Sequence, residues 1–408
     1  MRTKLLKRKH RSLFQIMILC LLLCGCAGEK KDMNNQDTVR LMVTSDLHYL
    51  SKELYDPQAP IFQLLMSKND GKLVEEGALI LETLKQKAIE EKPDVLLLCG
   101  DITFNGELIS LKEVSTVLKE IEDAGIPVLV TTGNHDIFYR SCMTYFGDVP
   151  GVTEDISDTA FAEVMGEYGY DEALYRDENS LSYIYALNEN LWFLVLDANQ
   201  VTSPCSIGGE TLVWMDEKLA EAEEKGIQVI TVCHQNILIQ SEMMYQGYVL
   251  YNHETVEKIL KSHGVYLCLS GHSHLQHTSV SDGLTDICNE SIAVYPLQYG
   301  MIDVNPGQRT FNHELKTLGI LNEESYDMFS KTVLRMVTAQ VEENVEDPAV
   351  REKMIDYALR MNAAYFSGNR EEMENLSQAE ELSLWETYCG DSFWGMYLKN
   401  IISELEKS

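Results

Sequence analysis

Five short segments of the chain combine side chains able to hold metal ions. They are Asp46-Leu47-His48, Gly100-Asp101, Gly133-Asn134-His135-Asp136, a lone His234, and Gly271-His272-Ser273-His274. Carboxylate, amide and imidazole are hard-to-borderline oxygen and nitrogen donors, suited to Mn, Fe, Zn or similar ions. Any one segment alone is a weak signal, since Asp46 would also serve as a helix N-cap and His272 as a satisfied surface residue. The weight lies in the fixed series of five. His253 and His263 flank a helix-patterned stretch at 254–261 and read as exposed end residues. His277 follows the last segment and reads as surface, and His313 carries no signal.

The elements that must position these residues are legible around them. Each segment follows an apolar run: LMVTS, VLLLC, VLVTT, VITVC and VYLCLS, in that order. Runs of four to six apolar residues bounded by turn signals suit strands buried on both faces. They predict strands at 39–44, 94–99, 127–131, 191–196, 228–233 and 265–269. Apolar residues at helical spacing predict helices at 73–90, 108–122 and 212–225, with Gly125 and Gly226 as C-terminal stops. Strand alternating with helix argues for α/β layering. In such sheets, sites form beyond the C-terminal ends of the strands. The acidic, irregular stretch at 139–182 reads as loops and short helices covering the site. From about residue 322 the pattern is helical, with four amphipathic blocks at 323–343, 348–366, 370–389 and 392–407.

This series resembles the calcineurin-like metallophosphoesterase family, whose motifs are DxH, GD, GNH[DE], a lone His and GHxH; the resemblance spans about residues 39–305. It implies a sandwich of two β-sheets flanked by helices, here followed by a small all-α C-terminal domain. It implies two divalent ions (Mn, Fe or Zn), one held by Asp46, His48, Asp101 and His274, the other by Asp101, Asn134, His234 and His272. His135 would stand beside the ions as the catalytic imidazole, with Asp136 orienting it. Phosphodiester hydrolysis needs a strong nucleophile at neutral pH and neutralised charge at phosphorus. Two dications about 3.5–4 Å apart provide both, by activating a hydroxide and clamping the oxygens. A narrower likeness concerns Gly100-Asp101-Ile102-Thr103-Phe104-Asn105-Gly106-Glu107 and Tyr295-Pro296-Leu297-Gln298-Tyr299-Gly300. Both resemble lipoprotein cyclic-nucleotide phosphodiesterases of the family. The implied activity is hydrolysis of a cyclic nucleotide or similar small phosphodiester. The runners-up are a phosphomonoesterase, another phosphodiesterase, or a non-catalytic binding lipoprotein. Gln235-Asn236 and His277 depart from the subgroup's pattern and touch only the substrate assignment.

The N-terminus and the composition set the location. Six basic residues lie within the first eleven, and an apolar run follows at 13–23. Eleven residues are too few to span a ~30 Å hydrocarbon core, so this reads as a secretion signal. Leu23-Cys24-Gly25-Cys26 resembles a bacterial lipobox with Cys26 as the lipidated residue. The expected organisation is a signal at 1–25, a polar tether at 26–38, a catalytic domain at 39–305 and a helical domain at 306–408. The protein would be exported and lipid-anchored to the outer face of the bacterial cell membrane. The full chain of 408 residues carries 33 basic against 64 acidic residues, a net charge of −31. That balance argues against a nucleic-acid polymer as partner, because such binding rests on Lys and Arg contacts to phosphate. Seven cysteines lie beyond the lipobox, an odd number without CxxC spacing, so neither a disulfide framework nor a zinc ribbon is expected.

Overall fold

The computed structural model describes residues 38–137 and 142–407. The signal segment, Cys26 and the tether up to residue 37 lie outside them. Two sheets stack against each other. The first has five strands in the order β12-β11-β1-β2-β3: β1 (Val39–Thr44), β2 (Val95–Leu98), β3 (Val128–Val130), β11 (Gln298–Asn305) and β12 (Thr310–Thr317). The second has seven, in the order β9-β10-β8-β7-β6-β5-β4: β4 (Tyr175–Arg176), β5 (Tyr183–Asn188), β6 (Leu191–Leu196), β7 (Gln228–Cys233), β8 (Leu267–Ser270), β9 (His277–Ser281) and β10 (Leu284–Cys288).

At the heart of each sheet the strands run parallel: β1 with β2 and β2 with β3, then β6 with β7 and β7 with β8. Parallel neighbours need crossover connections, and helices α1 (Gly77–Glu91) and α2 (Leu108–Asp123) supply them in the first sheet. Helices α3 (Gly209–Lys225) and α4 (His253–Ser262) do so in the second. Gly226 ends α3 at φ 71°, where its N–H reaches the Ala222 and Glu223 carbonyls, a conformation that costs glycine little. One core joins Leu41, Leu97 and Leu129 of the first sheet to Phe193, Ile230 and Leu269 of the second. A second layer packs Met215, Leu219, Val256 and Leu260 of α3 and α4 on the far face of the second sheet. The family's sandwich is thus present, with continuous apolar strands because both faces are covered.

Two expectations need correction. Residues 306–321 do not begin the helical region. Residues 310–317 form β12, which pairs antiparallel with β11 from Asn305↔Thr310 to Gln298↔Thr317. Helices therefore start at Asn322. There are five rather than four: α5 (Asn322–Asn344), α6 (Pro348–Phe366), α7 (Arg370–Ser377), α8 (Glu381–Cys389) and α9 (Phe393–Lys407). Their core of Val337, Val341, Tyr357, Trp385 and Leu398 also takes in Leu275 and Val294 from the sandwich. Gln276 N–H donates to the Phe366 carbonyl at 2.8 Å, so the helices dock directly behind the last metal-ligand segment. All seven cysteines beyond the lipobox are free, and Cys99, Cys233 and Cys268 are core residues as expected. Among the described residues, no helix is long and apolar enough to cross a membrane.

Candidate metal centre

The C-terminal ends of β1, β2, β3, β7 and β8 converge at one rim, and each delivers its segment there. The turns are tight. Asp46, His48, Asp101, His272 and His274 all adopt left-handed backbone angles, with φ between 47° and 70°. That conformation costs a non-glycine residue roughly 1–2 kcal/mol, and it persists only where the surroundings over-determine it, as at functional sites. The glycines in the motifs make room. A Cβ on Gly133 would lie 2.1 Å from the Asp101 carboxylate, and one on Gly271 1.8 Å from Ser45 Oγ.

The side chains form two groups that share one residue. In the first, His48 Nε2 and His274 Nε2 are 3.0 Å apart, and Asp46 Oδ1 is 3.3 Å from His274 Nε2. In the second, Asp101 Oδ2 is 3.4 Å from His234 Nε2, Asn134 Oδ1 is 3.1 Å from the same nitrogen, and the His234 and His272 rings lie 4.9 Å apart. Asp101 Oδ2 also sits 3.7 Å from His48 Nε2. It faces both groups, the place a bridging carboxylate must occupy. All seven residues expected as ligands are therefore brought together.

The donors fit cations. Asp46 Oδ1 is buried with no hydrogen-bond partner, a costly state that a cation would relieve. His234 Nδ1 is held by the Cys99 carbonyl at 2.7 Å, and His272 Nε2 by the Gly247 carbonyl at 2.8 Å. Anchoring one ring nitrogen on a carbonyl aims the other at a metal. Burial, with His234 next, holds His272 down at about 4, and burial holds His48 well below its ordinary range, so both rings keep a free lone pair. Burial pushes Asp101 up, but His234 and His135 outweigh it and keep this carboxylate well below its usual range.

His135 stands between the groups, in reach of His48 and Asp101. Its Nδ1 contacts the Phe104 carbonyl at 2.8 Å and Asn105 Oδ1 at 3.0 Å. Asp136 does not fill the orienting role expected of it. Its carboxylate accepts from the N–H groups of Ile102, Thr103 and Gly133 and from Thr103 Oγ1, at 2.8–3.2 Å, and so ties the second motif to the third. Lys72 was not legible in the sequence. It is buried, pairs with Asp70 at 2.9 Å, and its charge lowers the pKa of both His48 and His135. Beside the centre opens a cleft of about 1700 Å³, bounded by Asn134, Gly247 and His272. Its described lining holds six carboxylates, Asp155, Asp158, Glu163, Asp171, Glu178 and Asp197, against one cation, Arg176.

A model of the family described as calcineurin-like phosphoesterase matches residues 39–276, more than half of the chain. No curated protein sequence matches. Among solved structures, the chain is similar to a dimetal phosphatase from Danio rerio at 17% identity, covering 65% of this chain and 92% of that one, with a TM-score of 0.46. It is also similar to a putative 5'-nucleotidase from Staphylococcus aureus in complex with alpha-ketoglutarate. The identity there is 10%, the coverage 72% and 58%, and the TM-score 0.39. With the family's motifs gathered at one rim of two stacked sheets and the family model matched across them, this chain belongs to the calcineurin-like phosphoesterases.

Proposed function

We propose that the protein is a phosphodiesterase acting on a cyclic nucleotide or similar small phosphodiester, with Asp46, His48, Asp101 and His274 holding one divalent ion and Asp101, Asn134, His234 and His272 the other. Two bound dications would lower the pKa of water and neutralise charge on the phosphate. The chain's own residues do the rest. Asp101 would bring negative charge to both positions. His135, with Nδ1 fixed by Phe104 and Asn105, would deliver a proton to the leaving oxygen. A ribose alkoxide is a poor leaving group and needs that proton.

The observation that carries this reading is the Asn105–His135 contact at 3.0 Å. It ties the Asn105-Gly106-Glu107 sequence, the part resembling cyclic-nucleotide phosphodiesterases, to the imidazole beside the metal positions. The Leu23–Cys26 sequence supports export and lipid anchorage at the outer face of a bacterial membrane. The complete set of seven ligands speaks against a non-catalytic binder. The test assays purified protein with Mn²⁺ on cyclic AMP, cyclic GMP, a cyclic dinucleotide, bis-p-nitrophenyl phosphate and p-nitrophenyl phosphate. Turnover of a cyclic mononucleotide above the others supports the reading. Turnover confined to p-nitrophenyl phosphate would make the protein a phosphomonoesterase.

A further inference from the structure

We infer that Tyr248 is a stacking wall for a planar ring on the substrate, and that the last helix presents it through Glu404; the inference rests on the phosphoesterase reading of the same centre. The segment 239–251 leaves β7 a few residues after His234 and returns to α4. It carries Met243, Met244, Tyr245, Tyr248 and Tyr251. The Tyr248 ring lies 5.6 Å from the His272 ring, tilted by 54°, and is 38% exposed. The residue before it, Gly247, lends its carbonyl to His272 and borders the cleft. A partly exposed aromatic ring thus stands one side chain away from a proposed metal ligand.

Both ends of this segment are held. Near its end, Asn236 N–H donates to the Tyr248 carbonyl at 3.2 Å, and Leu250 N–H to the Asn236 carbonyl at 3.0 Å. At its start the anchor comes from α9. Glu404 accepts from Ser241 Oγ at 3.1 Å and from the Glu242 N–H at 3.0 Å. Glu404 is itself fixed by Tyr365 O–H at 2.6 Å and Asn400 Nδ2 at 2.8 Å. Lys407 pairs with Glu242 at 2.9 Å, and Met244 packs on the helical core. The helical region therefore fixes a loop that borders the metal centre, beyond its own packing.

The chemistry of the occupant follows. A tyrosine face stacks on planar rings with little regard to their identity. The carboxylates along the cleft would repel further phosphates. The ligand class is a phosphoester with a single phosphate and an uncharged planar ring, such as a nucleobase.

The test is calorimetric binding to the full Mn²⁺-loaded protein. The probes are the 5′-methylenephosphonate isostere of AMP and plain methylphosphonate, whose P–C bonds neither a monoesterase nor a diesterase cleaves. The wild type should bind the ring-bearing probe about 10-fold or more tightly than methylphosphonate, in keeping with stacking on an aromatic side chain. Tyr248→Ala should erase that margin, Tyr248→Phe should keep it, and Glu404→Gln should narrow it, all with methylphosphonate affinity unchanged. Adding Glu404→Gln to Tyr248→Ala should cost nothing more, because the first acts through the second. No margin in the wild type, or a margin that survives Tyr248→Ala, overturns the inference. Neither result bears on whether cyclic nucleotides are hydrolysed, which the turnover assay decides separately.

Discussion

His135 Nδ1 lies 2.8 Å from the carbonyl oxygen of Phe104, while the carboxylate of the adjacent Asp136 points to the N–H groups of Ile102, Thr103 and Gly133. The imidazole is thus aimed by the loop that follows Asp101, and Asp136 braces that loop.

This division of labour predicts different phenotypes. His135→Ala should keep both metals and lose about 10²–10⁴-fold on a cyclic nucleotide, the usual worth of acid help. The loss should be smaller on bis-p-nitrophenyl phosphate, whose nitrophenolate leaves without a proton. Metal analysis with rates on both substrates checks it. Lost metal would make His135 a ligand. Equal losses on both substrates would leave it a phosphate-positioning residue.

Glu107 links stability to pH. Its side chain is fully buried, Oε2 accepts from Asn105 N–H at 3.0 Å, and Oε1 has no partner. Burial, only partly offset by the N–H groups of Asn105 and of Glu107 itself, pushes its pKa to about 7 from an ordinary 4.5. The folded state therefore keeps a proton that the unfolded chain gives up. The contribution is present below about pH 4.5 and lost as pH rises through about 7. The difference is of order 3 kcal/mol. Urea unfolding at pH 5 and pH 8 should show Glu107→Gln losing less stability between the two than wild type. Equal losses in the two proteins would show that Glu107 does not link stability to pH.

The proposed lipid anchorage would rest on Cys26. Cys26→Ala should release the protein from membranes or leave it unprocessed, read by fractionation and mature size. A variant that stays with membranes at mature size would show that lipid is not the anchor.

The metal-binding segments were legible because sequence and topology agree there. β1, β6 and β7 begin and end where their apolar runs do, and each motif sits just past a strand end. β12 was hidden because only one of its faces is covered, so Thr310–Thr317 reads as a mixed polar stretch. The break between α7 and α8 falls at Gln378-Ala379-Glu380, where neither glycine nor proline marks it. Adjacency in sequence suggests that Asp136 pairs with His135, whereas competing backbone donors turn the two side chains apart. Lys72 lies in an ordinary polar turn, and only the fold brings its charge toward His48 and His135.

Among the described residues, Asp101 is the carboxylate that faces both groups, 3.4 Å from His234 and 3.7 Å from His48. The most direct test is metal content after Mn²⁺ loading, measured with turnover of bis-p-nitrophenyl phosphate, for wild type and Asp101→Asn. Two ions per chain are expected in the wild type. The variant should lose at least one of them, with turnover lower by about 10²-fold or more, since metal-assisted chemistry depends on intact coordination. Full metal content with near-normal turnover in Asp101→Asn would contradict a two-metal centre bridged by Asp101.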